Sequence, residues 1–202
     1  MRFLIIWISM ALPLCGMTPD AAFKELLDGN ARFQADKGAC IDQDRAARER
    51  LAHGQKPFAI IVCCSDSRTA PEIVFDQGLG KLFVIRVAGN VIGETELESI
   101  RYAATQLGAP LILVMGHEYC GAVTAVATGQ ADTMPAIAKL IEPAVQETST
   151  FLAAIKQNAL NMKYFLEKRE TISPLIEKGQ LKVEAAYYHF ISGEVEILVE
   201  KK

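Results

Sequence analysis

Phe58-Ala59-Ile60-Ile61-Val62-Cys63-Cys64-Ser65-Asp66-Ser67-Arg68 opens with six apolar residues and turns polar after a cysteine pair. A run without in/out alternation suits a strand covered on both faces, as in a parallel sheet with helical crossovers. Residues 82–87 and 111–115 have the same character, each bounded by Gly, Pro or charged residues. The segments between these runs are helix-like. Residues 94–107 form the clearest crossover, ended by Gly108-Ala109-Pro110. The order strand, helix, strand, helix, strand predicts an α/β fold with a mainly parallel central sheet flanked by helices.

Working outward, Thr18-Pro19-Asp20 opens a helix, because Thr can accept from free amides and Pro at the first helical position has no amide to waste. Ala22, Phe23, Leu26, Leu27 and Phe33 then share one face, so a helical arm over residues 20–35 should lie against the domain or a partner subunit. The charged stretch 42–53 predicts a second, mostly solvated helix stopped by Gly54. Residues 136–176 are helical in pattern, punctuated by Pro143 and Pro174. Residues 181–188 and 195–199 flank Ser192-Gly193, a turn between two terminal strands, the last of them antiparallel.

The chain has 202 residues, half of them hydrophobic and 22% charged, which suits one domain with a sizeable core. A net charge of −3 provides no broad positive field, which argues against nucleic acid or an anionic membrane surface as partner. Arg2 precedes the apolar run 3–14, and Leu14-Cys15-Gly16 leads into polar sequence at Thr18. That layout predicts an export signal over residues 1–16 and a domain over 17–202, because the run is shorter than the ~20 residues a membrane span needs. The protein would then be periplasmic or secreted, with no membrane contact after signal removal. An uncleaved anchor, a misplaced start codon and a lipidated Cys15 are the other readings, and the protein is cytoplasmic if the segment does not function. Five cysteines (Cys15, Cys40, Cys63, Cys64 and Cys120) in a chain of this length point to metal or catalysis over a disulfide framework. Thiolate ligands in an oxidising compartment would depend on bound metal for protection.

Three features stand at the carboxyl ends of the predicted strands, where ligands bind in open α/β sheets. They are Cys64 to Arg68, Arg86-Val87-Ala88-Gly89-Asn90, and His117-Glu118-Tyr119-Cys120-Gly121. His117 and Cys120 can reach one metal from a turn entering a helix, and Cys64 can supply a third ligand across the sheet. Two thiolates and one imidazole suit zinc, and three protein ligands leave the fourth position open, as in catalytic sites. Taken alone, a His-x-x-Cys pair reads more simply as a packed histidine beside a buried thiol; Cys64 at the neighbouring strand end reverses that. Adjacent cysteines on a strand face opposite ways, so Cys63 reads as an apolar filler, with a vicinal redox pair as the alternative. Cys40 has no evident partner. Asp66 and Arg68 are either a loop salt bridge or an oriented carboxylate whose ionisation Arg68 favours, able to accept a hydrogen bond from water at the open metal position.

Cys64-Ser65-Asp66-Ser67-Arg68 followed by Gly116-His117-x-x-Cys120-Gly121-Ala122-Val123 resembles the signature of the β-class carbonic anhydrases. Gly29-Asn30-x-Arg32-Phe33, Gly54-Gln55-Lys56-Pro57-Phe58, Pro71-Glu72, Arg86 to Asn90 and Gly193-x-Val195 follow in the family's order and spacing, so the likeness covers nearly everything after the signal-like segment. The resemblance implies one zinc per chain and reversible hydration of CO2 to bicarbonate and a proton. It also implies an arm over a neighbour and a homodimer or higher even oligomer. Gln55, Phe83 and Tyr102 match family positions lining the substrate pocket, partly across the dimer interface; Phe83 and Tyr102 read equally well as core packing. Some relatives carry a Trp three residues before the metal cysteine that, with an Arg and a Tyr, holds inhibitory bicarbonate. Here that position is Ile61, although Arg86 and Tyr188 match the other two, which puts the bicarbonate lock in doubt. The rival functions are hydrolysis of CS2 or COS at the same site and a zinc-stabilised binding protein with a closed fourth position. His53 and His189 lie outside the motifs and read as structural.

Overall fold

A computed structural model describes residues 16–39 and 42–199. The expected export signal, as far as residue 15 and with Cys15, lies outside the described residues, as does Cys40. In chain order the elements are α1 (Pro19–Gln34), α2 (Arg45–Leu51), β1 (Ala59–Cys63), α3 (Pro71–Val74), β2 (Leu82–Arg86), α4 (Glu94–Thr105) and β3 (Leu111–His117). There follow α5 (Gly121–Ala127), α6 (Pro135–Gln146), α7 (Phe151–Glu167), α8 (Ser173–Glu177), β4 (Lys182–Tyr188) and β5 (Val195–Ile197). The five strands form one sheet in the order β2-β1-β3-β4-β5, parallel throughout except for the antiparallel β4–β5 pair.

Every residue of β1 and β3 is buried, because the two central strands are covered on both faces. One face carries Ile60, Val62, Ile112 and Val114 against Leu97 and Ile100 of α4, Ile141 of α6 and Ile155 and Met162 of α7. The other carries Ala59, Ile61, Cys63, Leu113 and Met115 against Ala22 and Leu26 of α1 and against Phe75. Two-sided cover is why the strands read as uninterrupted apolar runs.

Thr18 caps α1 by accepting from the Ala21 amide at 3.2 Å, with Pro19 in the first turn, as the sequence predicts. Buried Asn30 then ties the arm to the sheet: its amide donates to the Val74 and Gly193 carbonyls (3.1 and 2.8 Å) and its oxygen accepts from Val195 N–H at 3.0 Å. Gly29 is required beside it, since a Cβ there would lie 1.9 Å from the Phe75 carbonyl oxygen.

Several bounds differ from expectation, three of them with a clear cause. β3 runs two residues further, to His117, because Gly116 and His117 pair with Tyr187 and Tyr188 in the ladder. The charged helix starts later, at Arg45, because Asp44 takes the cap position and accepts from the Ala47 amide at 2.8 Å. The long helical region breaks at residues 147–150 and not at Pro143, which α6 contains in its interior. Thr150 starts the next helix by accepting from Ala153 N–H at 3.1 Å. Among the described residues no helix is long and apolar enough to cross a membrane.

Candidate metal centre

Strand alternation sorts the two adjacent cysteines. Cys64 continues the face of Ile60 and Val62, while Cys63 packs among Ala59, Ile61 and Met115 on the other side. Burial pushes the Cys63 thiol up to about 12, so it stays protonated and acts as a small apolar filler. Cys63→Ser should therefore keep the bound metal and full activity while lowering thermal stability by a few degrees. Loss of metal in that variant, read by elemental analysis, would place Cys63 in the centre.

Cys64, His117 and Cys120 come together at the carboxyl end of the sheet, all buried, with their ligand atoms within 4.8 Å of one another. His117 is the last residue of β3; Tyr119, at φ 51°, turns the chain so that Cys120 sits at the amino end of α5. His117 Nδ1 lies 2.8 Å from the Glu118 carbonyl oxygen. That acceptor assigns the ring proton to Nδ1 and leaves the Nε2 lone pair free. Nε2 is buried and has no hydrogen-bond partner. An unsatisfied lone pair held between two buried thiols is the donor set a soft divalent cation takes.

The thiols are strongly coupled. Cys64 is pulled well below the ordinary thiol range, first by the hydrogen bond from Cys120 and then by His117 and the Gly89 amide, against the cost of burial. Cys120 is driven far up, first by its bond to Cys64 and then by burial. Without metal the pair thus keeps one proton; a bound dication would remove the repulsion that retains it.

Asp66 is gripped by Arg68 through three bonds: Arg68 Nε to Oδ1 at 2.9 Å, Nη2 to Oδ2 at 2.7 Å, and the Arg68 backbone N–H to Oδ1 at 3.0 Å. The Arg68 side chain holds the Asp66 carboxyl far below the usual carboxylate range, against partial desolvation. Asp66 Oδ2 stands 4.0 Å from His117 Nε2, so an ionised, oriented carboxylate faces the metal-binding atoms. Arg68 is itself stacked 4.1 Å over the Phe190 ring, which leans on His117 at 5.3 Å between ring centroids.

Two supports of this loop escape sequence reading. Arg86 donates to the Cys64 carbonyl at 3.2 Å and to the Asp66 carbonyl at 2.6 Å, so it fixes the ligand loop instead of standing free beside Tyr188. The buried Thr69 hydroxyl lies 3.0 and 2.8 Å from the same two carbonyls. Ile61 is core, and Tyr188 is buried opposite His117 in the β3–β4 register.

Gln55 is exposed in the segment before β1, at the opposite end of that strand from Cys64. Phe83 pairs with Ile60 in the β1–β2 register and meets half-exposed Tyr102 at 6.3 Å between ring centroids. A single chain does not bring Gln55 to the metal-binding atoms. His189 lies 3.1 Å from Glu196, which also pairs with Lys156, and His53 is exposed, both outside the centre.

Fold and site together define a thiolate-imidazole metalloprotein built on the strand ends of an α/β sheet. The family model described as carbonic anhydrase matches residues 59–195, and the chain belongs to the β-class carbonic anhydrase family. It is 54% identical over 107 residues to carbonic anhydrase 2 of Mycobacterium tuberculosis, a match spanning 53% of this chain and 52%, or about half, of that protein. It is 30% identical over 194 residues to the carbonic anhydrase of Pseudomonas aeruginosa, covering 87% of both chains. Among solved structures, the β-carbonic anhydrase CcaA superposes with a TM-score of 0.69 at 26% identity, covering 86% of this chain and 93% of that one.

Proposed function

We propose that the chain catalyses reversible hydration of CO2 to bicarbonate and a proton, with one zinc ion per chain held by Cys64, His117 and Cys120. The observation that carries this reading is the buried, unpartnered His117 Nε2 among two thiols, with an ionised carboxylate 4.0 Å away. Zinc, when bound, supplies Lewis acidity that makes water nucleophilic near neutral pH; carbonic anhydrase is itself the standard illustration of that effect, in a form with three histidine ligands.

Asp66 can accept a hydrogen bond from water in the open position and so turn its lone pair toward CO2. Arg68 keeps Asp66 ionised and fixed, while Arg86 and Thr69 hold the loop that carries it. The carbon gains the water oxygen, and the released proton passes to buffer. A closed fourth position, as a purely structural zinc site would have, leaves this Asp66–Arg68 arrangement without a purpose. The reading is tested by CO2 hydration assayed on zinc-quantified protein, with COS and CS2 turnover measured beside it. Faster turnover of either sulfur gas would assign the site to that substrate.

The partner is a second copy of the chain, in a homodimer or higher even oligomer, whose Gln55 would complete the pocket beside Phe83 and Tyr102. Residues 1–16 direct the chain out of the cytoplasm in this account, with bound zinc protecting the thiolates.

Arg86 is committed to two backbone carbonyls, Ile61 is core, and Asp66 is held by Arg68. Among the described residues nothing is then poised to bind bicarbonate and release Asp66 to the open metal position at neutral pH. Activity should rise smoothly with pH as a single deprotonation, without the cooperativity a coupled dimer switch produces. Rate profiles taken with and without added bicarbonate check this; a steep profile sharpened by bicarbonate would contradict it.

A further inference from the structure

Helix α7 carries none of the motif residues, yet it touches the segment after β2, whose Gly89 amide meets Cys64, and strand β3, which ends on His117. Asn158 is fully buried on its inner face among Ala154, Ile155, Ala159 and Met162. Its Nδ2 donates to the Gly89 carbonyl at 2.7 Å, and the Gly89 N–H donates to Cys64 Sγ at 3.3 Å. One turn on, Met162 Sδ accepts from the Ile92 amide at 3.3 Å, so α7 grips the segment after β2 at two points. The same helix closes on β3, which carries the ligand His117: a Cβ on Gly116, next to His117, would lie 3.2 Å from Ile155 Cγ2.

Gly89 takes φ 72° and ψ 16°, a left-handed conformation open to glycine at no steric cost. Its Cβ position is also closed from outside, 2.6 Å from Ile141 Cδ1. The bond from Asn158 fixes the carbonyl on one side of this flexible residue, while the N–H on the other side meets the sulfur. Only the NH2 of the amide can donate to a carbonyl, so the contact also sets the orientation of Asn158. Its Oδ1 is left buried with no protein partner. An apolar residue would fill an otherwise apolar helix face without leaving that atom unsatisfied, so packing alone does not call for asparagine here.

From this chain of contacts we infer that Asn158 is a positioning residue for the metal centre: by holding the Gly89 carbonyl it keeps the Gly89 amide on Cys64 and so sets the orientation and donor strength of that ligand. The inference rests on the metal-site reading above. A hydrogen bond to a ligand atom tunes the metal much as one to the far nitrogen of a ligating histidine does, and losing such a partner typically lowers metal affinity by about 10- to 100-fold.

The test uses the full chain and two variants. Asn158→Leu keeps the approximate volume without the donor, and Asn158→Ala removes the donor together with the side chain. Gln157→Ala, on the same helix but with its side chain bonded to Asn161, is the control. Zinc affinity is read by competition with a chromophoric chelator, and the ligand field by the sulfur-to-cobalt charge-transfer band of the cobalt-loaded protein. Both Asn158 variants should bind zinc about 10- to 100-fold more weakly and shift the cobalt band, while Gln157→Ala matches the parent. A folded Asn158 variant with parental zinc affinity and an unchanged cobalt band overturns the inference. A fall in melting temperature without either metal effect does the same, by making Asn158 merely structural. Should the parent chain itself bind neither metal, the metal-site reading falls first.

Discussion

Cys64→Ser and His117→Ala should each lose most of the bound zinc and, with it, CO2 hydration by more than about 100-fold, the upper end of what removing a mere outer partner costs. Each substitution deletes an atom of the trio whose members lie within 4.8 Å of one another. Two ligands do not hold a catalytic zinc site at ordinary affinity. Cys64→Ser is nearly isosteric, so its effect cannot be charged to a cavity; His117→Ala opens one, since the ring is fully buried. Elemental analysis of both proteins, paired with turnover, checks the expectation. Full zinc content in both would remove these residues from the centre.

Asp66→Asn should keep its zinc and still lose about 100- to 10,000-fold in turnover, the range general acid–base contributions span. The amide preserves shape but loses the charge that Arg68 stabilises and replaces one of the two acceptor oxygens by an NH2 donor. Arg68→Ala should show the same loss in weaker form, because Arg86 and Thr69 still hold the loop carbonyls. Stability carries an independent signature. The native carboxyl sits below its unfolded value, so the stability it contributes is present above the ordinary carboxylate range, near pH 4, and is lost as pH falls through the lowered native value. The gap in melting temperature between parent and Asp66→Asn should be widest near neutrality and close in acid. Near-parental turnover would reduce Asp66 to a loop-stabilising residue.

How much of this was legible beforehand follows from where the information resides. The central strands β1 and β3 could be read because two-sided burial writes itself as unbroken apolar runs, whereas β4 and β5 could be read from the Ser192-Gly193 turn between them. The end of β3 could not, since Gly116 and His117 are not apolar and join the ladder only through Tyr187 and Tyr188. Pro143 looked like a helix break, but the break waits for Thr150, which supplies a cap. The trio of Cys64, His117 and Cys120 was accessible because strand ends are where ligands gather, and alternation told Cys63 from Cys64. Arg86 was visible as a residue but not in its role, because hydrogen bonds to backbone carbonyls leave no trace in side-chain spacing. Asn158 gave no signal at all: one amide on a helix acquires meaning only when the fold brings it to Gly89, 69 positions away. Gln55 marks the opposite limit, as its expected place in the pocket depends on a second copy of the chain.

The central claim is that a zinc centre built from Cys64, His117 and Cys120 hydrates CO2, and stopped-flow hydration with a pH indicator on zinc-quantified full-length protein tests it most directly. The account predicts turnover proportional to zinc content, abolished by chelation and restored by one equivalent of zinc per chain. Protein carrying one zinc per chain that hydrates CO2 no faster than buffer would contradict it.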